Sequence, residues 1–174
     1  MRTLIRHTTL AAIVFFAGAA YAEASPVEEA RSRAEIDARF DRHAAIRVLN
    51  VWATWCAPCV AEMPHLQEIH ERYAARGVSL VALSMDDALP GSRDEAKRKV
   101  EAFVRSRSLS FTNLLYVGSL PAIEDQLGIG GAIPVTVVFD ANGRELKRIE
   151  GVIDPASFAA DLDRFLKRSR PPAR

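Results

Sequence analysis

Cysteine is scarce in this sequence: the 174 residues contain two, Cys56 and Cys59, separated by two positions. One such pair cannot build the framework of several disulfides that stabilises many small exported proteins. A bond across a two-residue loop would also stabilise the fold only weakly, because it closes little chain entropy. We therefore expect the two cysteines to carry out redox chemistry; an inert structural disulfide or two buried core thiols are the alternatives.

The sequence also lacks an excess of charge of either sign. It has 23 Lys and Arg against 22 Asp and Glu, and residues 1–22 hold two arginines and no acid. Without that segment the chain would have 21 basic and 22 acidic residues, which leaves no basic field for nucleic acid. There is no low-complexity block, and 49% of the residues are hydrophobic, so the composition allows one globular domain of ordinary size.

Long hydrophobic runs are limited to the N-terminus. Arg2 and Arg6 precede an uncharged, apolar stretch at residues 8–20, which leads into Ala20-Tyr21-Ala22. This pattern is typical of a signal peptide, with cleavage expected after Ala22. The apolar run is shorter than the about 20 residues that a membrane span needs, which favours export over a permanent anchor.

The pattern of apolar residues predicts alternating strands and helices, and hence an α/β layer structure with parallel neighbours. Polar residues 85–93 are expected to form a loop, with Asp86 and Asp87 at a solvated loop end. The predicted strands are 47–52, 78–84, 111–117, 134–139 and 144–150, and the predicted helices are 27–45, 58–75, one that begins after Ser92, 120–127 and one that begins at Pro155.

The cysteine pair falls on the first strand-to-helix turn. The apolar run before Cys56 indicates a buried strand, and Pro58 suits a first helical position because it has no backbone N–H. A thiolate at a helix N-terminus is stabilised by unpaired N–H groups and by the helix dipole, which lower its pKa. We therefore assign Cys56 as the nucleophile and Cys59, one turn further on, as the resolving thiol.

Three motifs together resemble the exported thioredoxin-like proteins of the TlpA/ResA type. They are residues 52–59 (Trp-Ala-Thr-Trp-Cys-Ala-Pro-Cys), residues 62–64 (Glu-Met-Pro), and a β-β-α ending that opens at Ile133-Pro134. The resemblance covers about residues 46–168. It implies a thioredoxin fold, with a central mixed sheet flanked by helices and a strand-helix insertion within about residues 85–117.

The resemblance also implies a function. Members of this family are periplasmic protein-disulfide reductases that need no organic cofactor. Their usual tasks are to reduce apocytochrome c cysteines before haem attachment or copper-site thiols during oxidase assembly. A membrane thiol transporter of the DsbD or CcdA kind usually re-reduces them. For this chain we expect the same activity, in a monomer with a domain at 46–168 and a loose tail at 169–174.

Further site residues follow from the resemblance alone. Pro134 matches the family's cis-proline, which lies beside the cysteines and leaves the backbone of Ile133 free to pair with a substrate. Glu62 matches an acidic residue that would relay protons for the thiols. Trp55 is expected on the partner-docking surface. Asn50 stands where thioredoxin has a buried aspartate, and since an amide cannot be a general base, that role shifts toward Glu62.

Two other functions remain open from the residues. The thiols could hold Cu(I), which prefers soft ligands, although no third His or Met ligand stands at a suitable spacing. The pair could instead donate its disulfide as an oxidase, because the reduction potential cannot be deduced from the two residues between the cysteines. His65 and His70 lie five apart, on different helix faces, so no metal site is expected. The loop motif of peroxiredoxins is absent.

The segment before the first central strand departs from the family. TlpA/ResA-type proteins usually enter that strand through a β-hairpin with a Gly-Lys turn, whereas residues 27–45 are charged and contain no glycine. Their apolar residues recur at helical spacing. We therefore expect an N-terminal helical segment within residues 23–45, which could cover an edge of the sheet.

Overall fold

The computed structural model describes residues 25–169, so the predicted signal peptide and most of the predicted tail lie outside the described residues. Six strands and five helices alternate along this part of the chain. The strands are β1 (Val27–Ala30), β2 (Ile46–Trp52), β3 (Val78–Ser84), β4 (Thr112–Tyr116), β5 (Val135–Asp140) and β6 (Glu145–Glu150). The helices are α1 (Arg33–Asp37), α2 (Ala57–Tyr73), α3 (Arg93–Ser106), α4 (Leu120–Leu127) and α5 (Pro155–Ser169).

The six strands form one mixed sheet in the order β1-β4-β3-β2-β5-β6. The four strands β1, β4, β3 and β2 run parallel to one another, while β5 is antiparallel to both β2 and β6. The central position of β2 places Asn50 opposite Ala82 on one side and opposite Thr136 on the other. The strand that leads to the cysteines is therefore held on both edges.

Helices cover both faces of the sheet. Along β2, Val48 and Trp52 belong to the core that includes buried residues of α2, α3 and α5. Leu49 and Val51 point to the opposite core, which includes buried residues of α1 and α4. Residue 50 lies on the same face as 48 and 52, because successive strand side chains alternate. The polar side chain of Asn50 is thus placed under α2.

The predicted α/β thioredoxin fold with its insertion is confirmed. Between β3 and α4 the chain adds α3 and β4, within the 85–117 segment that was expected to hold the insertion. Ser92 caps α3 by accepting a hydrogen bond from the backbone N–H of Glu95. Strand β4 joins the sheet between β1 and β3. None of the helices within residues 25–169 has the length and apolarity that a membrane crossing requires.

The prediction of a helix over residues 27–45 is wrong. Residues 27–30 form β1, which pairs in parallel with β4, and only the five residues of α1 are α-helical. Val27 and Ala30 are buried, so the backbone bonds that β4 offers outweigh a weak local preference for helix. Ser32 starts the helix by accepting from the N–H of Glu35. This segment therefore extends the sheet instead of covering its edge.

Candidate active site

The cysteine pair lies at the N-terminus of α2, on the predicted strand-to-helix turn. Cys56 is the N-cap residue of α2, and its Sγ accepts a hydrogen bond from the backbone N–H of Cys59 at 3.3 Å. The two cysteines form a disulfide, with their Cα atoms 5.2 Å apart. Cys59 is fully buried, whereas 6% of Cys56 is exposed. Of the two sulfurs, the one that a substrate can approach is therefore that of Cys56.

The loop before β5 approaches the same sulfur. The backbone carbonyl oxygen of Ile133 lies 3.7 Å from Sγ of Cys56. The peptide bond between Ile133 and Pro134 is cis, as the resemblance implied. The carbonyl of Pro134 accepts from the N–H of Gly151 at 2.8 Å, which links this loop to the segment that precedes α5. The fold thus brings Cys56 and Ile133 together; their predicted role in substrate binding stays a prediction.

Glu62 lies one turn beyond Cys59 on α2, and its carboxyl group is fully buried. Its Oε1 accepts from Nδ2 of Asn50 at 2.8 Å, and its Oε2 accepts from the backbone N–H of Ile153 at 3.0 Å. Burial raises the pKa of this carboxyl above its ordinary value, and the two hydrogen bonds partly oppose that shift. A carboxyl with a raised pKa is suited to take part in proton transfer. Glu62 is therefore not a solvated glutamate on the helix surface.

Two members of the hydrogen-bond network around this buried carboxyl were not predicted from the sequence. Thr136 on β5 is fully buried and its hydroxyl accepts from Nδ2 of Asn50 at 3.0 Å. Ile153 contributes only its backbone N–H. A signal for Thr136 existed, since it is the one polar residue within Val135–Phe139 and faces the same side as Val138. No sequence pattern reveals a backbone donor such as that of Ile153.

The prediction that Asp86 is part of a solvated loop end is also wrong. Asp86 is 6% exposed and lies in a short 3₁₀ turn directly after β3. Its carboxylate accepts from the backbone N–H of Thr54 at 2.9 Å, from the hydroxyl of Thr54, and from the hydroxyl of Ser84 at 2.7 Å. A buried carboxylate needs such donors because water no longer solvates it. Asp86 therefore anchors the residue that lies two positions before Cys56.

Trp55, next to Cys56, is 49% exposed, whereas Trp52 is fully buried and packs against Phe103. The indole of Trp55 lines a cavity of about 290 Å³ together with Leu89, which is 50% exposed. The other lining residues are Thr54, Asp86, Pro90, Gly91, Ser92, Glu95, Ala96 and Lys99. An exposed tryptophan beside the reactive sulfur is consistent with the predicted docking surface, and its role there stays a prediction.

The structure shows no clustered ligand set for a metal within residues 25–169, where no three His, Cys, Asp or Glu side chains converge closely enough to hold an ion. His70 packs edge-on against Phe111, and burial lowers its pKa. His65 is exposed on α2. Of these two histidines, His70 thus has a packing position and His65 a surface position.

A mixed sheet flanked by helices, with a Cys-X-X-Cys pair at the start of a helix and a cis-proline loop beside it, defines a thioredoxin-like protein. The sequence matches the Redoxin family over residues 42–163, and the chain belongs to that family.

Individual relatives agree with this assignment. The chain is 30% identical over 115 residues to the thiol-disulfide oxidoreductase ResA of Geobacillus thermodenitrificans, a match that covers 66% of this chain and 60% of ResA. The chain thus spans about three fifths of the length of this curated relative. The crystal structure of StoA from Bacillus subtilis has the same fold, with a TM-score of 0.56 and 21% identity over 69% of this chain and 83% of StoA.

A third comparison is with a secreted thiol-disulfide isomerase from Corynebacterium glutamicum. Its structure matches with a TM-score of 0.57 and 25% identity, over 70% of this chain and 71% of that chain. The solved structures therefore support the fold, and the match to the Redoxin family over residues 42–163 establishes the family.

Proposed function

We propose that this protein is an exported thiol-disulfide oxidoreductase that reduces disulfides of other proteins. The observation that carries the proposal is the position of Cys56, which caps α2 while its sulfur lies 3.7 Å from the carbonyl of Ile133. The helix N-terminus stabilises a thiolate at this position. The name of the ResA relative, thiol-disulfide oxidoreductase, supports the same chemistry.

The reaction begins with the reduced pair. The thiolate of Cys56 attacks one sulfur of the substrate disulfide, so that a mixed disulfide forms, the substrate bond breaks and one substrate thiolate leaves. Cys59 then passes its proton to the carboxylate of Glu62 and attacks the sulfur of Cys56. The bond between Cys56 and Cys59 forms and the second substrate thiolate leaves, after which Glu62 passes its proton to that thiolate and is a carboxylate again. Two electrons pass from the pair to the substrate, and the structure represents the oxidised product.

Substrate docking involves the surface around Cys56. Trp55 offers a large, half-exposed ring that an extended chain can cover. The backbone of Ile133 and the adjoining Pro134 orient that chain so that its disulfide meets the sulfur of Cys56. An aromatic anchor of this kind is typical of the residues that dominate binding energy in protein interfaces.

The proposed cellular setting rests on the sequence. Residues 1–22 act as a signal peptide, residues 23–45 form an N-terminal segment, and residues 46–168 form the catalytic domain of a periplasmic monomer, followed by a tail at 169–174. The substrates are apocytochrome c cysteines or copper-site thiols. A membrane thiol transporter of the DsbD or CcdA kind supplies the electrons. The secreted isomerase among the structural neighbours supports export.

Insulin reduction tests the proposed activity. The chain from residue 23 is assayed with dithiothreitol, beside Cys56→Ser and Cys59→Ser. We expect turnover by the wild type and none by either variant, because each lacks one thiol of the exchange. Absence of turnover by the wild type would contradict a general reductase. A Cu(I) titration of the reduced protein would then decide for the alternative of a copper-handling protein, which requires both thiols.

The direction of electron flow has a separate test. Equilibration of the pair in glutathione buffers gives its reduction potential. A reductase requires a potential well below that of the strongest known disulfide donors, about −120 mV. A value near that limit would assign the protein as an oxidase that donates its disulfide.

A further inference from the structure

The amide of Asn50 connects two buried groups that can each be a donor or an acceptor. Its Nδ2 donates to Oε1 of Glu62 at 2.8 Å and to the hydroxyl oxygen of Thr136 at 3.0 Å. The amide oxygen, Oδ1, has no hydrogen-bond partner among the described residues. All three side chains are fully buried. One nitrogen thus makes both polar contacts, and the oxygen makes neither.

This arrangement satisfies only the ionised form of Glu62. A carboxylate accepts hydrogen bonds, whereas a carboxylic acid must also donate one. The N–H of Ile153 already occupies Oε2, so a proton on Glu62 belongs on Oε1, where it would face the N–H of Asn50. Two donors facing each other in a buried site would leave both without a partner, which destabilises this form because water cannot solvate either group.

Rotation of the amide by half a turn resolves this conflict. The oxygen and nitrogen of an asparagine amide have nearly the same shape, and exchanging them turns a pair of donors into an acceptor. Oδ1 of Asn50 would then accept from the acid of Glu62 and, after rotation of its hydroxyl, from Thr136. In both orientations the atom that points away from these two groups lacks a partner. The two orientations therefore differ chiefly in which protonation state of Glu62 they satisfy.

We propose that Asn50 is a positioning residue for proton transfer, whose amide turns over each time Glu62 gains or loses a proton, while the hydroxyl of Thr136 follows. This inference rests on the proposed function for its role in the reaction. When Cys59 passes its proton to Glu62 and attacks the mixed disulfide, the carboxylate becomes an acid. The turned amide then stabilises that acid, and it turns back when Glu62 releases the proton.

The groups that hydrogen-bond to Glu62, and the hydroxyl that hydrogen-bonds to Asn50, are uncharged. The ionisable side chain whose charge acts on it is His65, which is exposed on the same helix. Strands β2 and β5 contribute the amide of Asn50 and the hydroxyl of Thr136, and the segment before α5 contributes a backbone N–H. Burial raises the pKa of Glu62, which brings both protonation states nearer to neutral pH. A carboxylate at position 50 could not alternate in this way, because it has no donor to turn toward Glu62.

Nuclear magnetic resonance of the oxidised, isotope-labelled protein tests the rotation directly. The carboxyl carbon of Glu62 reports its protonation, and Overhauser contacts between the side-chain amide protons of Asn50 and Thr136 report the orientation. We expect these contacts above the titration midpoint of Glu62 and their loss below it, with the same midpoint. Contacts that persist on both sides of the midpoint, or that are missing on both sides, would overturn the proposal.

Glu62→Gln is the matched variant for this experiment. The N–H of Ile153 keeps the Gln oxygen on its own side, so the Gln amide nitrogen faces Asn50 as a permanent donor, like the protonated acid. We expect the turned orientation of Asn50, without the Overhauser contacts to Thr136, at every pH. Retention of those contacts in Glu62→Gln would contradict the switch.

A kinetic experiment tests the consequence for the reaction. In Asn50→Leu we expect resolution of the mixed disulfide by Cys59 to slow about tenfold or more, since proton acceptance by Glu62 is hindered, while formation of the mixed disulfide keeps its rate. Glu68→Gln, at an exposed position on the same helix as Glu62, should match the wild type in both steps. Equal slowing of both steps, or of neither, would overturn the proposal. If the protein reduces insulin but the amide of Asn50 keeps one orientation, only this inference is contradicted. If the amide turns but insulin is not reduced, only the reductase function is contradicted.

Discussion

Asp86 accepts a hydrogen bond from the backbone N–H of Thr54 at 2.9 Å, across the gap between the end of β3 and the turn that carries Cys56. The same carboxylate accepts from the hydroxyls of Thr54 and Ser84. Three donors from two adjacent strand ends thus meet on one buried acid. The loop that precedes the reactive cysteine is therefore held from the end of the neighbouring strand.

We predict that Asp86→Asn destabilises the protein by about 1–3 kcal/mol. The amide can accept only through its one oxygen, and its NH₂ group would face a hydroxyl or N–H donor at a buried site. Denaturant unfolding of the oxidised protein measures the loss. Asp87→Asn is the matched control, because Asp87 is only partly buried and its carboxylate lies 3.6 Å from the exposed guanidinium of Arg93. Equal stabilities of the two variants would contradict the anchoring role of Asp86.

Glu62 should make stability depend on pH in a defined direction. Its folded pKa is raised above the ordinary value of 4.5. Between these two values the native state binds more protons than the unfolded state, so stability falls as the pH rises through that window and is constant above it. In Glu62→Gln this contribution disappears. The stability of the wild type relative to the variant should therefore decrease from about pH 4.5 upward until the folded pKa is passed.

Thermal unfolding of the oxidised forms over a pH series measures this difference, since the disulfide removes thiol titration. Subtraction of the variant curve also cancels other groups, such as His70, whose pKa burial lowers. Glu68→Gln, at an exposed position on the same helix, is the control and should follow the wild type in this window. A stability difference that increases with pH would show that the folded pKa of Glu62 is lowered instead of raised, and would contradict this prediction.

Trp55→Ala is expected to affect protein substrates selectively. Because the indole is half exposed, its removal should change the free energy of unfolding by less than about 0.5 kcal/mol. Reduction of insulin should slow by about tenfold, equivalent to about 1.4 kcal/mol of lost binding. Reduction of a small aromatic disulfide should keep its rate, since it needs only the thiols. Equal slowing with both substrates would mean that Trp55 acts on the cysteines and not on docking.

The parts of the fold that could be predicted are those in which local pattern and tertiary packing agree. Val78–Ser84 is apolar except for its two serines, as suits a strand that is buried on both faces, and it is a strand in the structure. Ser92 and Asp154 each directly precede a predicted helix, and each accepts from a backbone N–H in the first turn that follows. The prediction for residues 27–30 was wrong because this four-residue edge strand is determined by pairing with β4, which is distant in sequence.

The site was predictable to a similar extent. The spacing of the two cysteines predicted their redox pairing. The resemblance to TlpA/ResA-type proteins identified Glu62 and Pro134 as candidate site residues. The burial of Asp86 was missed, because its partner Thr54 lies 32 residues away and neither residue has an unusual local context. The donor at Ile153 was missed because a backbone N–H carries no sequence signal. What the sequence could not reveal in both cases is which distant groups the sheet brings together.

The order of attack by the two thiols is the central claim, and trapping tests it most directly. Reduced Cys59→Ser and Cys56→Ser are each mixed with a disulfide-linked peptide, and mass spectrometry after digestion identifies the cysteine that carries the peptide. We predict a stable mixed disulfide on Cys56 in Cys59→Ser, because the resolving thiol is missing, and little adduct in Cys56→Ser, because Cys59 is fully buried. Rapid, stable adduct formation on Cys59, with none on Cys56, would contradict the assigned order of attack.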